Sequence, residues 1–363
     1  MALFMKVTNN SPMIPFLRLI VLFVLCYKTK GLIKLPPNVT IPALIAFGDS
    51  IVDSGNNNHI KTLIKCNFPP YGKDFLENVP TGRFCNGKIP SDIIAEELGI
   101  KEYVPAYLDP YLKPNDLLTG VSFASGASGY DPLTSELMSV IPLSTQLDLF
   151  KEYINKLKGI VGEDNTNFII EKSLYVVVGG SDDIANTYFD AQARLQYDIY
   201  AYTDLMSNSA SNFLQEIYKL GGRRMFVFGA PPIGCLPSQR TVQGGILRTC
   251  AEKLNYVAKL FNLKLSNNID SLNSNLPKSR VTYVDVYTPL LDIILNPQKY
   301  GYKIVDKGCC GTGLIEAAVL CNPFVNTCYN VSEYVFWDSY HPTEGVYRKL
   351  VEILTKTYLG GLL

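Results

Sequence analysis

Five short runs of apolar, β-branched and aromatic residues recur along the chain: Ala43-Leu44-Ile45-Ala46-Phe47, Gly120-Val121-Ser122-Phe123-Ala124, Leu174-Tyr175-Val176-Val177-Val178, Met225-Phe226-Val227-Phe228 and Val281-Thr282-Tyr283-Val284-Asp285-Val286. Their hydrophobicity is continuous rather than alternating, the pattern of strands covered on both faces. Between them lie segments with helical spacing, at about 89–98, 144–158, 200–220 and 248–274. Strands alternating with helices in this way specify a parallel sheet between two helix layers. The expected fold is α/β, a three-layer α/β/α sandwich with a central five-stranded parallel sheet. A last helix is expected at about 343–358, with Thr343 as its cap and Val346, Leu350, Ile353 and Leu354 on one face.

The chain has 363 residues, 47% apolar and 18% charged, enough to bury a large core and far from a disordered composition. Near its start, Lys6 and Arg18 flank the apolar stretch Leu19–Leu25, much shorter than the roughly 20 residues that span a bilayer. Residues 1–31 therefore read as a secretory signal peptide of approximate end, with an uncleaved anchor as the alternative. No repeat, low-complexity tract or linker divides 32–363, so a single domain is expected there. Without the leader 29 basic and 33 acidic residues remain, a net charge of −4. No basic block or basic–aromatic pattern invites nucleic acid, and no membrane span remains once the leader is gone.

Export is also the reading of the cysteines. Losing Cys26 with the leader leaves Cys66, Cys85, Cys235, Cys250, Cys309, Cys310, Cys321 and Cys328, an even set that suggests disulfides in an extracellular protein. Cys66/Cys85, Cys235/Cys250 and two pairs among the last four are the near-neighbour choices, although spacing alone does not fix connectivity. A zinc site is disfavoured by the lack of CxxC spacing and of a histidine within the late cluster. Asn38 and Asn330 head sequons usable for glycosylation in that compartment.

Chemistry is concentrated in a few places. The chain holds two histidines, and one of them lies in Asp338-Ser339-Tyr340-His341-Pro342, an aspartate and histidine three residues apart. Such a pair supplies a general base and the carboxylate that orients it, and it needs a nucleophile elsewhere. Ser50, in Gly48-Asp49-Ser50 directly after the first strand, is placed to provide one. Ser125-Gly126 and Gly180-Ser181-Asp182-Asp183 follow the second and third strands, at the carboxyl edge where open parallel sheets bind ligands. His59, in a run of asparagines, reads as a solvated or rim residue. Trp337 reads as packing or substrate contact, and the long segments 52–88 and 295–335 as loops shaping the site.

These blocks, taken in order, resemble the GDSL esterase/lipase family of the SGNH hydrolase superfamily, most closely its secreted plant members of the extracellular-lipase branch. The resemblance spans 42–360. It rests on Phe47–Asn57, Phe123–Gly129, the turn at 179–183, Gly229–Cys235, Lys307–Gly313 and Trp337–Glu344. It implies a flavodoxin-like sandwich and hydrolysis of carboxylic esters of acyl lipids or acylated metabolites and wall components, with no metal or organic cofactor. Position by position it implies Ser50 as nucleophile, His341 as general base and Asp338 as the residue that orients it. The implied oxyanion donors are the Ser50 and Gly126 N–H groups and an asparagine side chain.

At the third donor the chain departs from the family and has Asp182. An ionised carboxylate only accepts hydrogen bonds, so Asp182 can serve only when protonated, and burial beside Asp183 is the expected cause. The same triad could instead transfer the acyl group to another alcohol. Asp182 also leaves open a weakly active or non-catalytic binding protein.

Overall fold

The computed structural model describes residue 33 and residues 35–362, so the leader expected over 1–31 lies outside the described residues. Four of the five runs become the central sheet: β1 (Leu44–Gly48), β2 (Leu174–Val178), β3 (Arg224–Phe228) and β4 (Arg280–Val284), parallel and adjacent in that order. Their register aligns Gly48, Val178, Phe228 and Val284 along one carboxyl edge. β1 and β2 are buried at every residue, as their unbroken apolar character requires.

The expected fifth strand is reduced to an edge segment. Residues 120–125 run parallel to β1, with Ala46 N donating to Val121 O at 3.1 Å, Phe123 N to Ala46 O at 2.8 Å and Ser125 N to Gly48 O at 2.9 Å. Side chains compete for the rest of its backbone. On the edge turned away from β1, Asn56 Nδ2 donates to the Ser122 and Ala124 carbonyls at 2.9 and 2.7 Å, and Ser122 N donates to the Pro105 carbonyl at 2.9 Å, leaving parallel bridges at Ala46–Ser122 and Ala106–Ser122 rather than a full strand. Counted with this segment, the spatial order is the flavodoxin-like one expected.

Six helices frame the sheet: α1 (Pro90–Glu97), α2 (Leu143–Val161), α3 (Ile199–Lys219), α4 (Glu252–Asn275), α5 (Tyr287–Leu295) and α6 (Glu344–Leu362). One layer runs α2, α3, α4, with α2 against β1 and α4 against β4; on the other face α1 meets β1 and α6 meets β4. Burial of Leu143, Gln146, Leu147, Phe150, Tyr153 and Leu157, three and four residues apart, makes α2 a helix with one apolar face. That face meets the sheet at Phe47, whose ring stacks on Phe123 at 5.1 Å and meets Phe150 and Phe213 edge-on at 5.4 and 5.5 Å. Truncating so enclosed a ring to alanine costs about 3–5 kcal/mol.

Two local expectations need correction. Thr343 does not cap α6. Its hydroxyl donates to the Tyr334 carbonyl at 3.1 Å, while the first helical N–H, that of Glu344, is received by Asn86 Oδ1 at 2.9 Å. The cap thus comes from a loop more than 250 residues earlier. Nor do Cys66 and Cys85 form a disulfide: both are buried thiols, with Cys85 Sγ directed at Asn86 Oδ1 and the Pro342 carbonyl.

The other six late cysteines pair as Cys235–Cys250, Cys309–Cys328 and Cys310–Cys321. The last two brace the segment after β5 (Ile304–Gly308), which pairs in parallel with β6 (Tyr334–Phe336) in a second small sheet. Among the described residues no helix is long and apolar enough to cross a membrane.

Candidate active site

Gly48 decides how the first strand ends. Its φ of +129° lies outside what side-chain-bearing residues adopt, and a Cβ there would stand 1.8 Å from the Val178 carbonyl oxygen. The chain can therefore leave β1 in close contact with β2, and Asp49 and Ser50 emerge at the carboxyl edge. Gln146 fixes this exit from α2, accepting from Gly48 N at 2.9 Å and donating to Gly48 O at 3.0 Å.

The loop between β6 and α6 brings the other two residues. His341 Nε2 lies 2.8 Å from Ser50 Oγ, and His341 Nδ1 lies 2.8 and 3.0 Å from the two Asp338 carboxylate oxygens. All three residues are buried, Ser50 at 5% exposure and Asp338 at 0%. With Nδ1–H donating to the carboxylate, Nε2 is left as the acceptor facing the serine hydroxyl.

Asp338 is held by three further donors: Tyr340 N at 2.8 Å and His341 N at 2.7 Å on Oδ1, and the Tyr71 hydroxyl at 2.7 Å on Oδ2. The loop is steadied by Trp337 N donating to the His341 carbonyl and by Ser339 N donating to the Glu316 carbonyl, both at 2.8 Å. Phe84 lies against the imidazole, ring centres 5.3 Å apart. Trp337 itself is fully buried against Tyr71, so it packs rather than meeting substrate. His59 is exposed, on a separate polar groove with Ser54 and Arg83.

Gly126 is not brought to the site as a free donor. Its N–H donates to Asp53 Oδ2 at 2.9 Å, and the other oxygen of that carboxylate receives Gly55 N and Asn56 N, each at 2.8 Å. A Cβ on Gly126 would stand 2.4 Å from the Phe84 ring. The glycine is therefore required by close packing, and the Asp53–Asn57 stretch is scaffold. Asn57 Nδ2 donates to the Gly126 carbonyl at 3.1 Å and completes that clamp.

Asp182 does reach the site, lining one cavity with Ser50 and Asp49. Its Oδ1 accepts from Asn186 Nδ2 at 2.7 Å, and its Oδ2 is buried with no partner, as is Asp49 Oδ2. Burial, then the charges of Asp49 and Asp183, push the Asp182 carboxyl well above the usual range. Asn186 and Tyr340 act against that rise, although the Tyr340 hydroxyl does not attain hydrogen-bond geometry. Asp49 is itself raised to about 6 by burial, against the Ile51 N–H that it accepts.

Asp183, the neighbour expected from sequence to govern Asp182, is engaged elsewhere. It accepts from Tyr130 N, Asp131 N and the Thr134 hydroxyl. The more influential neighbour is Asp49.

Sequence reasoning missed Tyr71, Gln146, Asn86 and the pairing of Asp49 with Asp182. Only Asp49 carried a usable signal, since it sits inside the nucleophile motif.

A flavodoxin-like sheet that carries a buried serine, histidine and aspartate in one hydrogen-bonded chain at its carboxyl edge defines an α/β protein with a polar site at the usual ligand-binding edge of such sheets. Residues 44–354 match the family model described as GDSL-like Lipase/Acylhydrolase. Two curated relatives from Arabidopsis thaliana are similar over nearly the whole chain. GDSL esterase/lipase EXL3 is 59% identical, with 90% of each chain covered. GDSL esterase/lipase EXL2 is 53% identical, with 92% of this chain and 93% of the relative covered. The chain belongs to the GDSL lipase/acylhydrolase family, and with it to the carboxylic ester hydrolases.

Proposed function

We propose that the protein is an exported esterase that cleaves carboxylic esters through an acyl-enzyme on Ser50. The observation that carries this reading is the pair of 2.8 Å contacts, Ser50 Oγ to His341 Nε2 and His341 Nδ1 to Asp338 Oδ2. An alcohol attacks a carbonyl only when a positioned base removes its proton. Nε2 takes the Oγ proton as the Oγ–carbon bond forms, and returns it to the departing alkoxide as the ester bond breaks. Water then repeats the sequence: Nε2 takes its proton, hydroxide attacks the acyl carbon, and Ser50 leaves with the proton restored. Asp338 steadies the imidazolium formed in each half.

The negative oxygen of each tetrahedral intermediate needs donors in place beforehand. Our assignment is the Ser50 N–H and the Asp182 carboxyl in its protonated form, its proton on the unpartnered Oδ2. Gly126 acts by packing against Phe84 in this reading. Export is supported by three disulfides and by the exposed sequon residues Asn38 and Asn330, which we propose as glycosylation sites.

The test is release of p-nitrophenol from acyl esters by purified protein beside its Ser50→Ala variant. A loss of at least a thousand-fold in the variant is the expected result, and equal rates in both would overturn the reading.

A further inference from the structure

The edge of the sheet opposite Ser50 carries charge that the fold does not neutralise. Leu174, Arg224 and Arg280 stand in register at the amino ends of β2, β3 and β4. Beside them lies a recess of about 250 Å³ lined by Glu171, Lys172, Arg223, Arg224, Lys278 and Arg280. Its lining is five cations and one carboxylate, in a chain whose basic and acidic residues balance. Three segments far apart in sequence contribute, so no basic block announces the cluster. Glu171 is taken by Lys172, Oε1 to Nζ at 2.7 Å, and among the described residues no carboxylate pairs with the other four cations.

Two of these cations are costly to the fold. Arg224 and Arg280 stand directly opposite each other on β3 and β4, strands about 4.8 Å apart, and like charges so placed repel. Burial, then the Arg280 charge, hold Arg224 below its ordinary value, with Glu171 acting the other way. Lys278 has φ +62°, the left-handed region where glycine or asparagine is the usual choice. The two buried-edge arginines are nonetheless aimed. Arg223 Nη1 donates to the Tyr218 and Gly222 carbonyls at 2.7 and 2.8 Å, and Arg224 Nη1 to the Thr40 and Lys172 carbonyls at 2.8 and 3.0 Å. Oriented guanidinium forks with uncompensated charge are what recognition of an oxyanion requires.

We propose that this recess binds a multivalent oxyanion, a ligand with two or more phosphate or carboxylate groups close together. Such a ligand removes the repulsion between Arg224 and Arg280 and gives Lys278 a partner, whereas a neutral one leaves both costs in place. Strands of this length put the recess about 15 Å from the carboxyl edge, so the anion and an ester at Ser50 are held at the same time. The chemistry is shared by free phosphate esters and by the carboxylates of an acidic polysaccharide, and the choice of probe separates them.

The experiment is calorimetric titration of the purified protein with pyrophosphate and with trigalacturonate, in low salt and in about 0.5 M sodium chloride. Saturable binding of at least one probe, weakened by salt, is the expected result. Pyrophosphate alone assigns a phosphate ester, trigalacturonate alone an acidic polysaccharide, and both the shared chemistry. Arg280→Gln and Lys278→Asn should each weaken binding about ten-fold. Urea midpoints for both variants should be no lower than that of the wild type, which removes misfolding as the cause of lost affinity. Should one variant unfold early, the other decides. No binding of either probe, or undiminished affinity in a folded variant, overturns the proposal. Binding is read without turnover, so the outcome does not depend on the Ser50 reading.

Discussion

The Tyr71 hydroxyl donates to Asp338 Oδ2 at 2.7 Å across a separation of 267 residues, and the phenolic oxygen itself receives the Ala318 N–H at 2.8 Å. One phenol thus joins the early loop, the disulfide-braced segment and the carboxylate that orients His341. Tyr71→Phe should lower kcat about ten-fold, or about 1.4 kcal/mol of transition-state stabilisation, with little change in KM. It should also lower unfolding free energy by about 1–3 kcal/mol, because the buried Ala318 N–H loses its acceptor. Steady-state kinetics and urea unfolding separate the two effects. A variant that is less stable but turns over normally would mean that Tyr71 only braces the loop.

In the oxyanion role proposed for it, Asp182 is a donor that depends on protonation, and Asp182→Asn replaces it with one that does not. Burial and the Asp49 charge raise the Asp182 carboxyl, so in that role it would donate while protonated and repel the oxyanion once ionised. Wild-type turnover should therefore decline on the alkaline side, and the asparagine variant should exceed it there by about ten-fold while matching it near pH 5. Profiles of kcat from pH 5 to 9 for both proteins give the answer. Superimposable profiles would remove Asp182 from the oxyanion site.

Much of this architecture was legible in the chain. Residues 44–48, 174–178 and 225–228 are buried on both faces, and that burial is written directly in their unbroken apolar composition. Ser50, Asp338 and His341, which the structure joins in one hydrogen-bonded chain, stood out together through the Asp–His spacing and the serine at a strand exit. What stayed hidden depends on segments that meet only after folding. Residues 120–124 look like a strand, yet on the edge away from β1 their partners are Asn56 and the 105–107 loop. Thr343 looks like a cap, yet Asn86 performs the task. Gly126 looks like an oxyanion donor, yet Asp53, dozens of positions away, occupies its N–H. Side-chain to backbone bonds of this range leave no periodic trace.

The two thiols give a direct chemical check. Cys66 and Cys85 are fully buried, and burial pushes both well above the ordinary thiol range, so neither offers an accessible thiolate. Native mature protein should react with no more than a trace of a thiol reagent over minutes. Unfolded in guanidinium without reductant, it should release two equivalents. Zero equivalents after unfolding would mean that the two are joined after all.

Stability should fall as the medium becomes alkaline, opposite to a protein governed by surface ion pairs. Unfolded, Asp49, Asp53 and Asp183 titrate near 4, like any aspartate, roughly. Folded, burial raises Asp49 and Asp53 to about 6 and Asp183 to about 7, outweighing the backbone N–H donors that each of them has and, for Asp183, the Thr134 hydroxyl. Above pH 4 or so the native chain therefore holds protons that the unfolded chain has lost. A carboxyl raised in this way contributes stability that is fully present below its unfolded value and is lost as pH climbs through its folded one. The window is thus about pH 4 to 7, with a slope of at most about 1.4 kcal/mol per pH unit for each group. Asp292 and Glu352, held down to about 2 by lysine and tyrosine partners or by lysines alone, act with the opposite sign but titrate at more acid pH. Urea midpoints measured at pH 5 and pH 8 should show the higher value at pH 5, with an unchanged m-value. A midpoint that rises with pH would show that these three carboxyls are ionised in the native protein and that their hydrogen bonds outweigh burial.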